Sequence, residues 1–352
     1  MYSTMKKIII IILIISSQLS LLGCKNLYFK YILKIAPDRF TFEEEQTILS
    51  IPMCSSHPLV TNSHQFEYSL IMIHGGGLTA KNYFELGQQV VNSLKIDKNR
   101  ILVLAPQFLE KGVDIEEKGL LFWDQRWRGG GKSLSINLNK DLPELSSYEV
   151  LDRLINVVTK QNPRLRRIII LGHSAGGQFV SRYAAVNNRH ESLEKQGIFI
   201  HYVVANPSSY LYLDGTRYQV TPENEFLKMP KEKLTDCPGY NKYKYGLEDL
   251  YGYAENLPPH IVRTRLLTRP VMFVLGTADT DRGWSQDKSC EADVQGKNRY
   301  ERGLLYKHHL RSFVKSSPKF QHIWLEIPEV GHEATEIFTH PRFITELKTL
   351  DF

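Results

Sequence analysis

Residues 172–176 read Gly172-His173-Ser174-Ala175-Gly176, a Gly-x-Ser-x-Gly pentapeptide. The bare pattern is weak, because glycine is common enough for this spacing to recur by chance. Its flanks make it specific. Ile168-Ile169-Ile170-Leu171 precedes it and a helix-like segment, 175–187, follows; this is the strand, sharp turn and helix that present a nucleophilic serine. Glycine at 172 and 176 leaves no Cβ to collide with the neighbouring strand and helix, so the Ser174 hydroxyl can stand clear of a sheet. A hydroxyl is a poor nucleophile until a base takes its proton and a carboxylate orients that base. In this setting the chain order is Ser, acid, His. Asp279 follows the apolar run 271–275 in Gly276-Thr277-Ala278-Asp279, and His332 follows the run 322–327 in Val330-Gly331-His332. Both stand where a strand ends, so Ser174, Asp279 and His332 read as nucleophile, orienting acid and base. Charge developing on an attacked carbonyl needs preset donors. The backbone N–H of Ala175 supplies one, and the His74-Gly75-Gly76-Gly77 loop a second, from Gly76 in preference to Gly77.

Rival residues have plainer readings. Asp281 is the main alternative acid, followed by Asp287 and Asp293; His173 fills the variable position of the turn, pointing away from the serine; His308 and His309 fall mid-helix, and His322 opens a strand. Asp279-Thr280-Asp281-Arg282-Gly283 begins like a calcium loop but has glycine at the fifth position instead of the sixth. Gly129-Gly130-Gly131-Lys132-Ser133 resembles the end of a phosphate-binding loop, yet position 126, where its first glycine belongs, is arginine. Neither metal nor cofactor is expected.

The elements that must position these residues follow from the apolar runs. Segments 68–73, 101–105, 167–171, 199–205, 271–275 and 322–327 are short and almost wholly apolar. Between them lie helix-like stretches, among them 80–94 and an amphipathic segment with Val150, Leu151, Leu154, Ile155 and Val158 on one side, N-capped by Ser146 or Ser147 with Glu149 in its first turn. Strands buried on both faces need no polar alternation, so the pattern predicts a mostly parallel, doubly wound α/β sheet. The stretch 206–269 breaks the rhythm, with no clean strand and many Tyr, Pro and Gly residues. Its length and aromatic content read as a cap or lid over the site, with an insertion that merely packs on the sheet edge as the alternative.

The chain has 352 residues, 42% hydrophobic and 23% charged, with a net charge of +6. This is globular composition, and the length fits one large domain with insertions. Its basic runs, such as Arg164-Leu165-Arg166-Arg167, lack interleaved aromatics, so nucleic acid is not an expected partner. Lys6 and Lys7 precede an apolar run, 8–15, too short to span a bilayer. Leu21-Leu22-Gly23-Cys24 closes the segment and resembles a bacterial lipobox, which implies a lipid on Cys24 at the mature N-terminus, with a plain secretory signal as the alternative. Lys25 leans such a lipoprotein toward the outer membrane. Cleavage would remove Lys6 and Lys7, lowering the charge by two to +4. An oxidising compartment favours one disulfide among the other three cysteines. Cys237 and Cys290, both in loop-like stretches, are the preferred pair, leaving Cys54; the other two pairings stay open. The expected organisation is a signal peptide over 1–23, a tether and leading segment over 24–66, and a catalytic domain over 67–352 with its cap at 206–269.

From about residue 68 to 338 the chain resembles the α/β-hydrolases, of the kind found among secreted esterases and polyester depolymerase-like proteins. The matching pieces are Ile73-His74-Gly75-Gly76-Gly77, Gly172-His173-Ser174-Ala175-Gly176-Gly177, Gly276-Thr277-Ala278-Asp279 and Gly331-His332, with Asn82-Tyr83-Phe84 and Arg182-Tyr183-Ala184 beside them. The resemblance implies an α/β-hydrolase fold and a serine esterase acting through an acyl-enzyme on a small or polymeric ester. It leaves open a peptidase or amidase on the same scaffold, or a surface binding protein without turnover.

Overall fold

Eight strands make one sheet: β1 (Asp38–Glu44), β2 (Thr47–Ser55), β3 (Tyr68–Ile73), β4 (Ile101–Pro106), β5 (Arg167–His173), β6 (Phe199–Ala205), β7 (Val271–Gly276) and β8 (Ile323–Ile327). They belong to a computed structural model that describes residues 35–350 except 60–65, 78, 114, 137–140, 224, 284 and 315–319. Cys24 and the leader therefore lie outside the described residues. The order across the sheet is β1-β2-β4-β3-β5-β6-β7-β8. Only the β1·β2 and β2·β4 pairs are antiparallel; the rest run parallel. Strands β3, β4 and β7 are buried at every residue, which is why their sequences show no alternation. The doubly wound expectation holds. Residues 38–55, assigned above to a leading segment, are the first two strands of this sheet, so the sheet starts well before residue 67. At the edge β1 buries little but Phe40, and such a strand carries none of the apolar density that marks the central ones.

The main helices are α1 (Ala80–Leu94), α2 (Ser147–Gln161), α3 (Ala175–Val186), α4 (Pro259–Thr268), α5 (Arg299–Arg311), α6 (Ala334–Thr339) and α7 (Pro341–Lys348). One face of the sheet, carrying Leu70, Met72, Ile169, Leu171, Val203 and Val274, packs on α1, α6 and α7. The opposite face, carrying Phe273 and Leu275, meets α5 through Tyr306 and Gly303, and α3 and α2 layer beside it through Phe179 and Tyr148. Ser146 is the cap of α2: its hydroxyl accepts from the Tyr148 N–H while Glu149 accepts from the Ser146 N–H, a reciprocal pair that satisfies donors the first turn leaves open.

The insertion after β6 is shorter than the sequence suggested. Pro259–Thr268 is a helix, α4, that packs on α3 and carries the crossover from β6 to β7, so the insertion proper spans 206–258. It holds a small antiparallel hairpin, Tyr218–Val220 with Phe226–Lys228, too short for its sequence to announce. Much of it is core: Tyr210, Leu211, Tyr212 and Leu213 are fully buried, and the Tyr210 ring stacks on Tyr306 at 4.4 Å. Cys237 and Cys290 form a disulfide that ties the insertion to the loop after β7, while Cys54 is a buried free thiol.

Candidate active site

β5 ends at His173 and α3 begins at Ala175, so Ser174 makes the whole turn, at φ 57° and ψ −116°. That backbone is unfavourable for a residue with a side chain, and its surroundings fix it there. The Ser174 N–H donates to the Ala205 carbonyl at 2.9 Å and its carbonyl accepts from Gln178 at 3.0 Å. A Cβ on Gly172 would sit 2.2 Å from the Gly176 carbonyl oxygen, and one on Gly176 would sit 2.2 Å from that of Ile73. Both contacts are with backbone that cannot yield, so glycine is a steric requirement at both positions.

Two loops converge on this turn from the ends of β7 and β8. Asn206 joins them: its Oδ1 accepts from the Gly276 N–H at 2.9 Å and its Nδ2 donates to the Gly331 carbonyl at 3.0 Å. His332 lies 2.7 Å through Nδ1 from Asp279 Oδ2, and 3.0 Å through Nε2 from Ser174 Oγ. A carboxylate only accepts, so Nδ1 carries the proton, and Nε2 of a neutral imidazole then accepts from the Ser174 hydroxyl. Asp279 is almost wholly buried, with Arg299 Nη1 3.5 Å from its Oδ1 and equally buried. The pair leaves the carboxylate charge compensated on the side away from His332. Asp281, by contrast, is exposed, Asp287 bonds Tyr245 and Lys244, and Asp293 pairs with Arg282 and Arg302.

His173 is nearer the site than a plain structural reading allows: its ring centroid is 4.5 Å from that of His332. Burial first, and then the neighbouring His332 and Arg299, hold it well below the ordinary histidine range, so it adds no charge beneath the imidazole. The Tyr83 hydroxyl lies 3.3 Å from His173 Nδ1 and meets the backbone of Gly75. Tyr83 thus links the histidine pair to the glycine loop, a role its place in the sequence did not reveal. His74 holds the other end of that loop. Its Nε2 accepts from the Phe108 N–H at 2.9 Å and its Nδ1 donates to the Gly75 carbonyl at 2.8 Å. Burial lowers its pKa to about 4, keeping the neutral tautomer these bonds need. Gly76 and Gly77 are exposed beyond it, and Ala175 opens α3, where the first N–H groups have no acceptor within the helix. Among the described residues the one cluster with metal-binding types is Cys237, Cys290 and Glu291, and its two sulfurs are spent in the disulfide.

No family model matches the sequence, and no curated protein matches it. Solved structures do. Poly(aspartic acid) hydrolase-1 from Sphingomonas sp. KT-1 superposes with a TM-score of 0.56 at 21% identity, over 88% of this chain and 98% of that one. The chain has the α/β-hydrolase fold. A second α/β-hydrolase relative, LpqC, a poly(3-hydroxybutyrate) depolymerase from Bordetella parapertussis, superposes with a TM-score of 0.56 at 17% identity, over 87% and 88% of the two chains. In that fold the strand, turn and helix at Ser174 fall where a nucleophile elbow would lie, after a central strand, and the loops after β7 and β8 reach the turn.

Proposed function

We propose that this protein is an exported, lipid-anchored serine esterase. The observation that carries the reading is the unbroken chain of hydrogen bonds from Ser174 through His332 to Asp279, at 3.0 and 2.7 Å. Ser174 Oγ attacks the ester carbonyl while its proton passes to His332 Nε2; Asp279 stabilises the resulting imidazolium. The tetrahedral oxyanion is taken by the Ala175 N–H and by one from Gly76 or Gly77. Collapse breaks the C–O bond, His332 returns the proton to the departing alcohol, and a water activated by the same imidazole releases the acid and frees Ser174. Export is supported by the Cys237–Cys290 disulfide, which suits an oxidising compartment, and the lipid anchor by the lipobox-like Leu21-Leu22-Gly23-Cys24. The two structural relatives are named for action on polymers, which favours an oligomeric or polymeric ester as substrate.

Incubation with a fluorophosphonate probe tests this. Labelling of the intact protein that disappears in Ser174→Ala supports it, and equal labelling of the two sinks the enzyme reading. Turnover of peptide amides in preference to short aryl esters would replace esterase by amidase.

A further inference from the structure

Arg182 joins two further cations, Lys244 and Arg128, and the second of these stands beside the exposed turn at Gly76. Arg182, on α3 eight residues after Ser174, is fully buried, and every acceptor it bonds is uncharged. Its Nε donates to the Lys244 carbonyl at 3.0 Å, Nη1 to the Arg128 carbonyl at 3.4 Å and Gln178 Oε1 at 3.3 Å, and Nη2 to Ser209 at 3.0 Å. It therefore anchors the backbone of two residues whose own side chains are cationic. Arg128 Nη2 lies 3.9 Å from where a Cβ on Gly76 would be. It reaches Glu110 Oε1 at 3.1 Å, an oxygen that also accepts from Trp127, and its buried Nε has no partner among the described residues. Lys244 Nζ is 3.4 Å from Asp287 Oδ2, which already accepts from the Tyr245 hydroxyl at 2.8 Å. Two carboxylates, each shared with an uncharged donor, thus face three cations. Burial, and then Arg182 and Arg128 against the pull of Asp287, bring the Lys244 ammonium down to about 8. Arg128 and Lys244 both keep slightly under a fifth of their side chains open to solvent. Three cations against two carboxylates leave one positive charge in excess, largely desolvated yet with an opening to solvent at Arg128 and Lys244, a condition under which an anionic group is held well.

We propose that Arg128 and Lys244 form a carboxylate-binding subsite beside the Gly76 turn, and that the substrate is an ester that also carries a free carboxylate, as half-esters of dicarboxylic acids do. The inference rests on the esterase reading above. The guanidinium offers two parallel donors to such a group and the ammonium a point charge.

The experiment compares two aryl esters that differ by one group, 4-nitrophenyl pentanoate and the 4-nitrophenyl half-ester of glutaric acid, in which a carboxylate replaces the terminal methyl. Wild type should favour the glutarate ester in kcat/KM by about tenfold at low salt, a preference that shrinks as salt is added. Arg128→Gln and Lys244→Gln should each cut that ratio by about tenfold, and Arg128→Lys, which keeps the charge but loses the paired donors, should retain only part of it. Equal kcat/KM for the two esters in wild type, or variants that lower both esters alike, would overturn the subsite. Calorimetry with monomethyl glutarate on the Ser174→Ala protein reads the same subsite without turnover. Binding that Arg128→Gln weakens about tenfold supports it, and no binding overturns it. Loss of turnover on both esters with this binding intact would instead count against the esterase reading alone.

Discussion

Replacing Asp152 by asparagine should remove a pH dependence of stability that one half-buried carboxyl imposes. Asp152 lies on α2 and accepts from the Tyr183 hydroxyl of α3 and the Tyr253 hydroxyl of the insertion, each at 2.6 Å. Burial raises its pKa from 3.8 to about 6, against the lowering effect of those two bonds. The folded protein therefore holds this proton more tightly than the unfolded chain does. Its contribution is fully present below about pH 4 and is lost as pH rises through about 6. With each pH unit worth about 1.36 kcal/mol, the distance from 3.8 to about 6 amounts to roughly 3 kcal/mol. Asparagine keeps an acceptor and adds a donor but does not titrate. Urea unfolding followed by tryptophan fluorescence, run on both proteins from pH 4 to 7, gives the comparison. The variant should gain on the wild type by roughly 3 kcal/mol across that range. A difference that stays constant with pH would refute both the raised pKa and the view that burial outweighs the tyrosine bonds.

Two further outcomes follow from buried contacts. Arg299→Gln leaves the carboxylate of Asp279 without its counter-ion in a site almost closed to water, so unfolding free energy at pH 7 should fall by about 3 kcal/mol or more, measured in the same urea assay. Reducing the Cys237–Cys290 disulfide opens a loop with a sequence separation of 53; by loop-closure entropy the Cys237→Ala/Cys290→Ala protein should lose about 4 kcal/mol, read as a lower urea midpoint that reducing agent no longer changes.

How much of this was legible beforehand varies with the physics of each part. The central strands could be bounded closely: 199–205 was expected and Phe199–Ala205 is observed, because a strand buried on both faces writes its limits in apolar residues. The edge strands could not be, since Asp38–Glu44 is mostly solvated and reads as any polar segment. The α4 helix was absorbed into the cap because its buried side chains are few, Val262, Leu266 and Leu267, and so give no broad apolar stripe. Ser174, Asp279 and His332 announce themselves by standing just beyond strands. Arg299 does not, because a buried ion pair across 20 residues leaves no local pattern. Tyr83 was visible as part of Asn82-Tyr83-Phe84, but its contact with His173 depends on packing 90 residues away.

Arg182, fully buried on α3, holds the backbone of Lys244 and Ser209 by hydrogen bonds from Nε and Nη2. Raising residues 206–258 off α3 would break those bonds, part Tyr253 from Asp152, and free the Tyr243 hydroxyl from the Gly129 carbonyl. It would also hydrate Tyr210, Leu211, Tyr212 and Leu213, four fully buried side chains, at about 1.5 to 3 kcal/mol each. The insertion is thus a wall, not a door. Lifting it would amount to partial unfolding, so its contacts with α3 belong to the stability of the fold itself.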